Sequence, residues 1–263
     1  MNAQKKKIIS NLIADYHLLA FDELDSTNEE AKRLAKAGGS HGAVVWAKKQ
    51  TGGKGRMGRA WVSDDGNLFV SLLLQPEKPF EELAQLSFVA ALSALEAIAP
   101  MLPEPADLQT KWPNDILLAD KKLGGILLES FRTDGSEKAW VVVGVGINVD
   151  SHPTKTDFPA TCLKEAGVEL VSAKIILSRF IHHFIERYDE WSSKGFAPIR
   201  KNWLVHAWHL KERLVARLPD GGMDMKTEGI FDGIDADGSL VLIVENEKGV
   251  GKKHIISAAD VYA

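Results

Sequence analysis

Apolar and polar positions along this chain change period at punctuated places. Residues 5–17 carry Ile8, Ile9, Leu12 and Ile13 at near-helical spacing, which predicts a short helix. Leu18 to Leu24 predicts a strand. It ends at Asp25-Ser26-Thr27, and a helix then runs to Ala37 with Gly38-Gly39 as its stop. Ser26, Thr27 and Asn28 are favoured cap residues, and Glu29 and Glu30 suit a first turn. Residues 43–50 and 67–74 are apolar and rich in β-formers, predicting two strands around a glycine-rich loop. Phe80 to Ala99 is the clearest helix. Leu83, Leu86, Val89, Ala90, Ala94, Leu95 and Ile98 recur at three and four, and Pro100 and Pro103 end it.

Leu108 to Leu118 predicts a strand, a tight Pro113-Asn114-Asp115 turn and a second strand, with residues 121–129 as a hairpin partner. Residues 139–149 form a nearly uncharged run, the expected central strand. Gly144 and Gly146 are two apart and so share one face of it, which predicts a close approach to the backbone there. Residues 150–162, with Pro153 and Pro159, read as a polar loop and a candidate lid. Helices are expected at about 172–191 and 196–209. From Leu210 onward short strands follow at 214–218, 227–231, 240–244 and 253–256, with turns at Gly221-Gly222, Asp237-Gly238 and Lys248-Gly249. The pattern predicts an α+β domain over residues 1–209, a mixed sheet packed with helices, and a small β-barrel over 210–263.

Charge changes this picture in one place. The chain of 263 residues carries a net charge of −4. Yet no acidic residue occurs from Ala31 to Ser63, a stretch holding Lys32, Arg33, Lys36, Lys48, Lys49, Lys54, Arg56 and Arg59. Glycines at 52, 53, 55 and 58 lie among the last of these cations, so the backbone there can wrap closely around an anion. Gly53-x-Gly55-x-x-Gly58 matches a dinucleotide fingerprint in letters only, because a strand and not a helix follows it. No Gly-Lys-Ser/Thr, His-Arg-Asp or Asp-Phe-Gly occurs, which removes the P-loop and kinase readings. Cys162 is the only cysteine, so no disulfide forms within the chain and a cytoplasmic setting is expected. No uncharged apolar run reaches the length of a membrane span. His182 and His183 lack a spaced partner for a metal.

Four polar clusters fall at expected strand ends or turns. They are Ser26-Thr27-Asn28, Gln50 through Arg59, Lys111 to Asp115 with Lys122, and Gly144-x-Gly146-x-Asn148. This suits an anionic ligand with a second polar end, its phosphates held by backbone N–H groups and cations. Asp115 and Asn148 supply the oxygen donors that Mg²⁺ prefers. No Ser, Cys or His stands in a nucleophile context. Charge stabilisation and positioning, as in nucleotidyl transfer, is the expected chemistry.

In order, the motifs Leu24-Asp25-Ser26-Thr27-Asn28, Gln50-Thr51-x-Gly53-x-Gly55-Arg56-x-Gly58-Arg59-x-Trp61, Lys111-Trp112-Pro113-Asn114-Asp115, Lys122-Leu123-x-Gly125-Ile126-Leu127 and Gly144-x-Gly146-Ile147-Asn148 resemble those of biotin protein ligases. The resemblance runs from about residue 20 to the C-terminus. It implies the class II synthetase-like biotin/lipoate ligase fold and an SH3-like C-terminal barrel. It also implies an activity: biotin and ATP give biotinyl-5′-AMP, and biotin then passes to a lysine of a carrier domain. The implied partners are the biotin carboxyl carrier protein of acetyl-CoA carboxylase and other biotin-dependent carboxylases.

By position, Ser26, Thr27 and Gln50, helped by the Gly144 and Gly146 backbone, hold the biotin ring end. Lys122 sits at the biotin carboxylate and the developing acyl phosphate. Lys54-Gly55-Arg56 folds over the adenylate. Lys111, Asn114, Asp115 and Asn148 serve ATP and Mg²⁺, and Trp61 stacks on a ring. Asn28, Gly53 and Gly125 complete the implied ligand site. Lys122, Arg56, Lys111 and Asp115 are its implied catalytic residues. Four positions depart from the family pattern: Lys54 for Arg, Gly52 for a larger residue, Lys48 for an acidic one, and Ala258 for Gly. They bear on loop kinetics, not on the class of reaction.

Only about 20 residues precede the first motif, so no specific DNA binding is expected, although some family members carry a DNA-binding domain. Family members often pair through the central sheet, which makes a homodimer a candidate state. Three other readings stay open on sequence alone. They are a lipoate ligase of the same superfamily, a nucleic-acid-binding module built on the basic loop, and a biotin sensor without catalysis.

Overall fold

The computed structural model describes residues 7–13, 16–133, 137–217, 226–245 and 250–263, with side chains from Tyr16 onward. Its first element corrects an expectation. Residues 7–13 are not helical but form β1 (Lys7–Ile13), antiparallel to β2 (Tyr16–Leu24), with Lys7 opposite Ala20 and Ile8 opposite Leu19. Three β-branched isoleucines favour extended backbone, and the open edge of β2 offers hydrogen-bond partners that a lone short helix lacks.

Beyond β2 the helix α1 (Thr27–Lys36) leads to β3 (Ala43–Gln50), parallel to β2. Then come β4 (Leu68–Leu74), β5 (Leu108–Lys111), β6 (Asp115–Leu118), β7 (Lys121–Phe131) and β8 (Trp140–Ile147). They build one eight-stranded mixed sheet in the order β1-β2-β3-β4-β8-β7-β6-β5. The predicted helix at 80–99 divides into a 3₁₀ stretch, Phe80–Gln85, and α2 (Leu86–Ile98). Phe80–Met101 is long and apolar enough to cross a membrane by composition, but it is mostly buried as a core helix. Two further helices, α3 (Ala173–Lys194) and α4 (Phe196–Val205), pack with α2.

The sheet buries both faces. Val141, Val143, Val145 and Ile147 of β8 face the larger core with α2 and α3, while Trp140 and Val142 join a smaller core under α1. A central strand covered on both sides explains its nearly uncharged run. Gly144 and Gly146 continue the α1 side, where side chains approach them closely.

The chain turns to a second sheet after α4. Strands β9 (Arg213–Arg217), β10 (Lys226–Ile234), β11 (Leu240–Glu245), β12 (Gly251–Ile256) and β13 (Asp260–Tyr262) form an antiparallel sheet ordered β12-β11-β10-β9-β13. The last of these was not expected from pattern. The Asp237-Gly238 turn is present, with Asp235 Oδ1 accepting from the N–H groups of Asp237 and Ser239. The predicted Gly221-Gly222 and Lys248-Gly249 turns lie outside the described residues. Contacts from several elements hold this sheet to the rest of the fold. Trp112 Nε1 donates to the Gly238 carbonyl (2.9 Å), Arg200 Nε donates to the Ile234 carbonyl (2.6 Å), and Arg56 reaches the Ala259 carbonyl (3.5 Å). Gly238 also has to be glycine: its φ is +88°, and a Cβ there would lie 2.6 Å from the Phe88 ring.

Candidate active site

One cavity of about 450 Å³ opens at the end of the large sheet, between the glycine loop, the 150–162 loop and β13. Every site residue singled out from the sequence lines it except Gly53. Gly53 acts from behind: its carbonyl accepts from the Trp61 N–H (2.9 Å), and a Cβ would sit 2.4 Å from Ser63 Oγ.

One end of the cavity is neutral and heavily hydrogen-bonded. Thr27 donates both its N–H (2.7 Å) and its hydroxyl (3.1 Å) to Gln50 Oε1, and Gln50 Nε2 donates to Ser63 Oγ (3.0 Å). Ser71, buried beneath, donates to Asn28 Oδ1 (2.6 Å) and lies 2.7 Å from Thr27 Oγ1. Asn28 Nδ2 donates to Glu129 Oε2 (2.8 Å). Ser26 stands at the cap position of α1, yet its side chain makes no cap hydrogen bond; Gln50 serves the first N–H instead. The Ser26 hydroxyl is therefore not spent on capping. The glycines of β8 make this end possible. A Cβ on Gly144 would lie 2.2 Å from Asn28 Oδ1, and one on Gly146 would lie 2.7 Å from the Trp61 ring. Ser71 and Glu129 escaped the sequence reading, because nothing in strand periodicity separates a hydrogen-bonding inward Ser from a filler.

The other end is cationic. Lys122 Nζ lies 2.6 Å from Asp115 Oδ1 and 5.5 Å from the Trp61 ring centroid. Its backbone is pinned by the next loop: Lys122 N–H donates to the Pro159 carbonyl (2.7 Å), and its carbonyl accepts from Thr161 N–H (3.0 Å). Asn148 Nδ2 donates to the Thr161 carbonyl (3.0 Å) and faces the Lys122 carbonyl at 3.4 Å. The candidate lid is thus tied at its far end to the strand that carries Lys122.

Lys111 is buried, and its Nζ sits 3.9 Å from the Phe158 ring centroid, with the Trp208 and Tyr262 rings at 5.3 and 5.5 Å. Burial pushes its ammonium down to about 8. Phe158, Trp208 and Tyr262 come from three distant segments, so no local pattern could have found them.

The glycine loop folds as a hairpin over this end. Lys54 and Ala60 form a bridge, and Arg56–Gly58 make one 3₁₀ turn with Met57 at φ +56°. Its cations have partners. Lys54 Nζ donates to Glu29 Oε1 (2.7 Å), holding that carboxyl below the usual carboxylate range, and Arg59 donates to Asp260 (3.1 Å). Arg56 Nη1 donates to Asn114 Oδ1 (3.2 Å), with Asp260 at 3.8 Å.

The Biotin/lipoate A/B protein ligase family model matches residues 20–148. A biotin–[acetyl-CoA-carboxylase] ligase of Paracoccus denitrificans is 37% identical over 90% of this chain and 97% of its own. The chain belongs to the biotin protein ligase family. The bifunctional ligase/repressor BirA of Bacillus subtilis is 36% identical, over 93% of this ligase and 73% of its own chain. Among solved structures, the biotin protein ligase of Aquifex aeolicus in complex with biotin and ATP superimposes with a TM-score of 0.77 at 30% identity. The match covers 93% of this chain and 98% of that one. The ligase is thus α+β, as expected, and its relatives favour biotin over the lipoate alternative.

The donor set of the ligase fits Mg²⁺. Asp115 Oδ1 is buried and receives no directed hydrogen bond; its contact with Lys122 is a charge contact only. A hard carboxylate oxygen lining the cavity is the kind of donor Mg²⁺ takes from proteins, usually one or two carboxylates beside substrate phosphates and water. Asn148 commits its nitrogen to carbonyls, and its oxygen is the donor that fits a cation.

Proposed function

We propose that this protein makes biotinyl-5′-AMP from biotin and ATP and passes the biotinyl group to a lysine of the acetyl-CoA carboxylase carrier protein. One observation carries the assignment of roles: a single cavity joins a neutral hydrogen-bonding end to a cationic end. Ser26, Thr27 and Gln50 hold the uncharged ring of biotin. Its carboxylate then points at Lys122, whose ammonium offsets carboxylate repulsion as oxygen approaches the α-phosphorus. That P–O bond forms while the bond to pyrophosphate breaks. Lys111, Asn114 and Arg56 hold phosphates, and Asp115 with Asn148 holds Mg²⁺, which supplies further charge neutralisation. In the second step the neutral amine of the carrier attacks the acyl carbon. The bond to AMP breaks, and the amine proton leaves to solvent. No enzyme nucleophile is needed, because the mixed anhydride already has a good leaving group. Biotin-dependent exchange of pyrophosphate into ATP tests the assignment; exchange seen only with lipoate would reject it.

Two predictions arise from these roles. Lys111 carries its charge below pH 8 and loses it above, because burial lowers its pKa. The kcat/KM for ATP, which reports the free enzyme, therefore falls as pH rises through about 8. In Lys111→Arg this fall disappears, since a guanidinium stays charged; a profile identical to wild type refutes the role. For Arg56→Gly, loss of hydrogen bonds to a charged group, roughly 1.5–3 kcal/mol, predicts a roughly ten- to hundredfold faster escape of the adenylate. Biotinylation of bystander proteins measures that escape, and unchanged retention counts against it.

A further inference from the structure

The lid closes on itself at its base, outside the cavity. His152 stands near its start, and Cys162 and Glu165 stand where it rejoins the fold. His152 Nε2 lies 2.9 Å from Glu165 Oε2. Cys162 Sγ joins them, so one ligand atom from each residue lies within 4.8 Å of the other two. None of the three lines the cavity.

The surroundings orient these atoms. His152 Nδ1 faces the Pro153 carbonyl at 3.2 Å. The Pro153 carbonyl and the Glu165 carboxylate both accept, so they compete for the hydrogen of the neutral ring; a cation taking the place of hydrogen at Nε2 leaves Nδ1–H to the carbonyl. The Thr161 hydroxyl donates to Glu165 Oε2 (3.0 Å), fixing the carboxylate. The Cys162 thiol is buried and points to the Asp150 carbonyl at 3.6 Å. Metal-ligating imidazoles and carboxylates have such supports. A His–Glu ion pair and a thiol–carbonyl contact account for the groups one by one, but not for the convergence of three ligand atoms within 4.8 Å.

We propose that His152, Cys162 and Glu165 form a site for a borderline-soft divalent cation of the Zn²⁺ type. It binds through Nε2, Sγ and a carboxylate oxygen and leaves a fourth position to water. Tetrahedral bonds of ~2.0–2.3 Å set ligand atoms roughly 3.3–3.8 Å apart, which small side-chain movements reach from the present arrangement. Binding breaks the S–H bond, forms a metal–thiolate bond and releases the proton to solvent. No oxidant takes part. Mg²⁺, which prefers oxygen, does not compete here. The ion ties residue 152 to residues 162 and 165, making a closed loop of the segment that carries Phe158 onto Lys111. This site is separate from the Mg²⁺ donors and does not depend on their role.

The test uses the untagged full chain stripped of divalent metal, with Co²⁺ as probe. One equivalent is expected to give thiolate-to-cobalt charge-transfer absorption and d–d bands of tetrahedral strength, both displaced by Zn²⁺. Cys162→Ser removes the charge-transfer band, and His152→Ala or Glu165→Gln weakens Zn²⁺ binding at least roughly tenfold. A wild-type spectrum without a thiolate band, or an unchanged spectrum in Cys162→Ser, overturns the site. A second measurement covers any variant that fails to fold. Cys162 is the only cysteine, so alkylation of the wild-type chain reports on it alone. Zn²⁺ is expected to slow that reaction at least roughly tenfold, the loss that thiolate coordination imposes on a nucleophile, and Mg²⁺ to leave it unchanged. Equal rates with and without Zn²⁺ overturn the proposal.

Discussion

Lys122→Ala lowers the rate of adenylate formation by roughly 10²–10³-fold, the loss typical of removing one preorganised charge-stabilising donor. Lys122 is placed for this by its backbone as much as by its side chain. Both its N–H and its carbonyl are held by the Pro159–Thr161 segment, and its ammonium is aimed by Asp115 at 2.6 Å. In the proposed role the ammonium meets both the biotin carboxylate and the charge that grows on the α-phosphate, so the loss is expected in biotin affinity and, more heavily, in kcat. Biotin-dependent pyrophosphate exchange gives the rate, and calorimetric titration with biotin gives the affinity. Exchange within threefold of wild type would remove Lys122 from the chemistry. A collapse of affinity with kcat retained would make it a ground-state contact. Lys122→Ala also leaves Asp115 without its cation, so Lys122→Met together with Asp115→Asn separates the lost charge from the orphaned carboxylate.

Gly144→Ala weakens biotin binding by roughly 10²-fold, the scale of a misplacement near 1 Å. The added methyl meets Asn28 Oδ1 at 2.2 Å and Asn28 Cγ at 2.9 Å. Asn28 cannot swing aside freely, because Ser71, the Leu127 carbonyl and Glu129 all hold its amide. Displacing it drags Ser71, and with it Thr27 and Gln50. Gly146→Ala is the control on the same face. Its methyl meets the half-buried Trp61 ring at 2.7 Å instead, so the strain falls on the wall of the cavity and not on the Thr27–Gln50 chain. The two variants should therefore separate: titration with biotin shows the larger loss for Gly144→Ala. Equal losses would mean that the Asn28 network is not what recognises biotin.

Much of this site was legible because its chemistry is local in sequence. Lys111 to Asp115 reads as strand, turn, strand, and it is one: β5 and β6 pair with Lys111 opposite Asp115. Gly144 and Gly146 announce a close approach by their spacing alone, and Asn28 and Trp61 are what approach. What the residues could not show is which distant segments complete the local pieces. Phe158, Trp208 and Tyr262 meet around Lys111 only after three different connections have closed. Asp260 lies on β13, a three-residue strand too short for alternation to register, yet it holds Arg59. The misread N-terminus has another cause. Ile8, Ile9, Leu12 and Ile13 suit either period, and the decision rests with β2, whose free edge no helical pattern encodes. Ser26 was ambiguous for a third reason. Cap and ligand contact call for the same residue types, and only the position of Gln50 separates them.

The bond from Trp112 to the Gly238 carbonyl has a thermodynamic consequence. It ties the turn of the small sheet to the strand pair that bears Lys111, Asn114 and Asp115, and Phe88 of α2 packs against the same glycine. The small sheet therefore cannot peel away while the large one stays intact around its cavity. Partial opening of the C-terminal strands would expose Lys111 to water and restore its ordinary basicity. The two sheets are therefore expected to melt as one cooperative unit, with a single transition by far-UV circular dichroism and by tryptophan fluorescence; two separated transitions would count against the coupling.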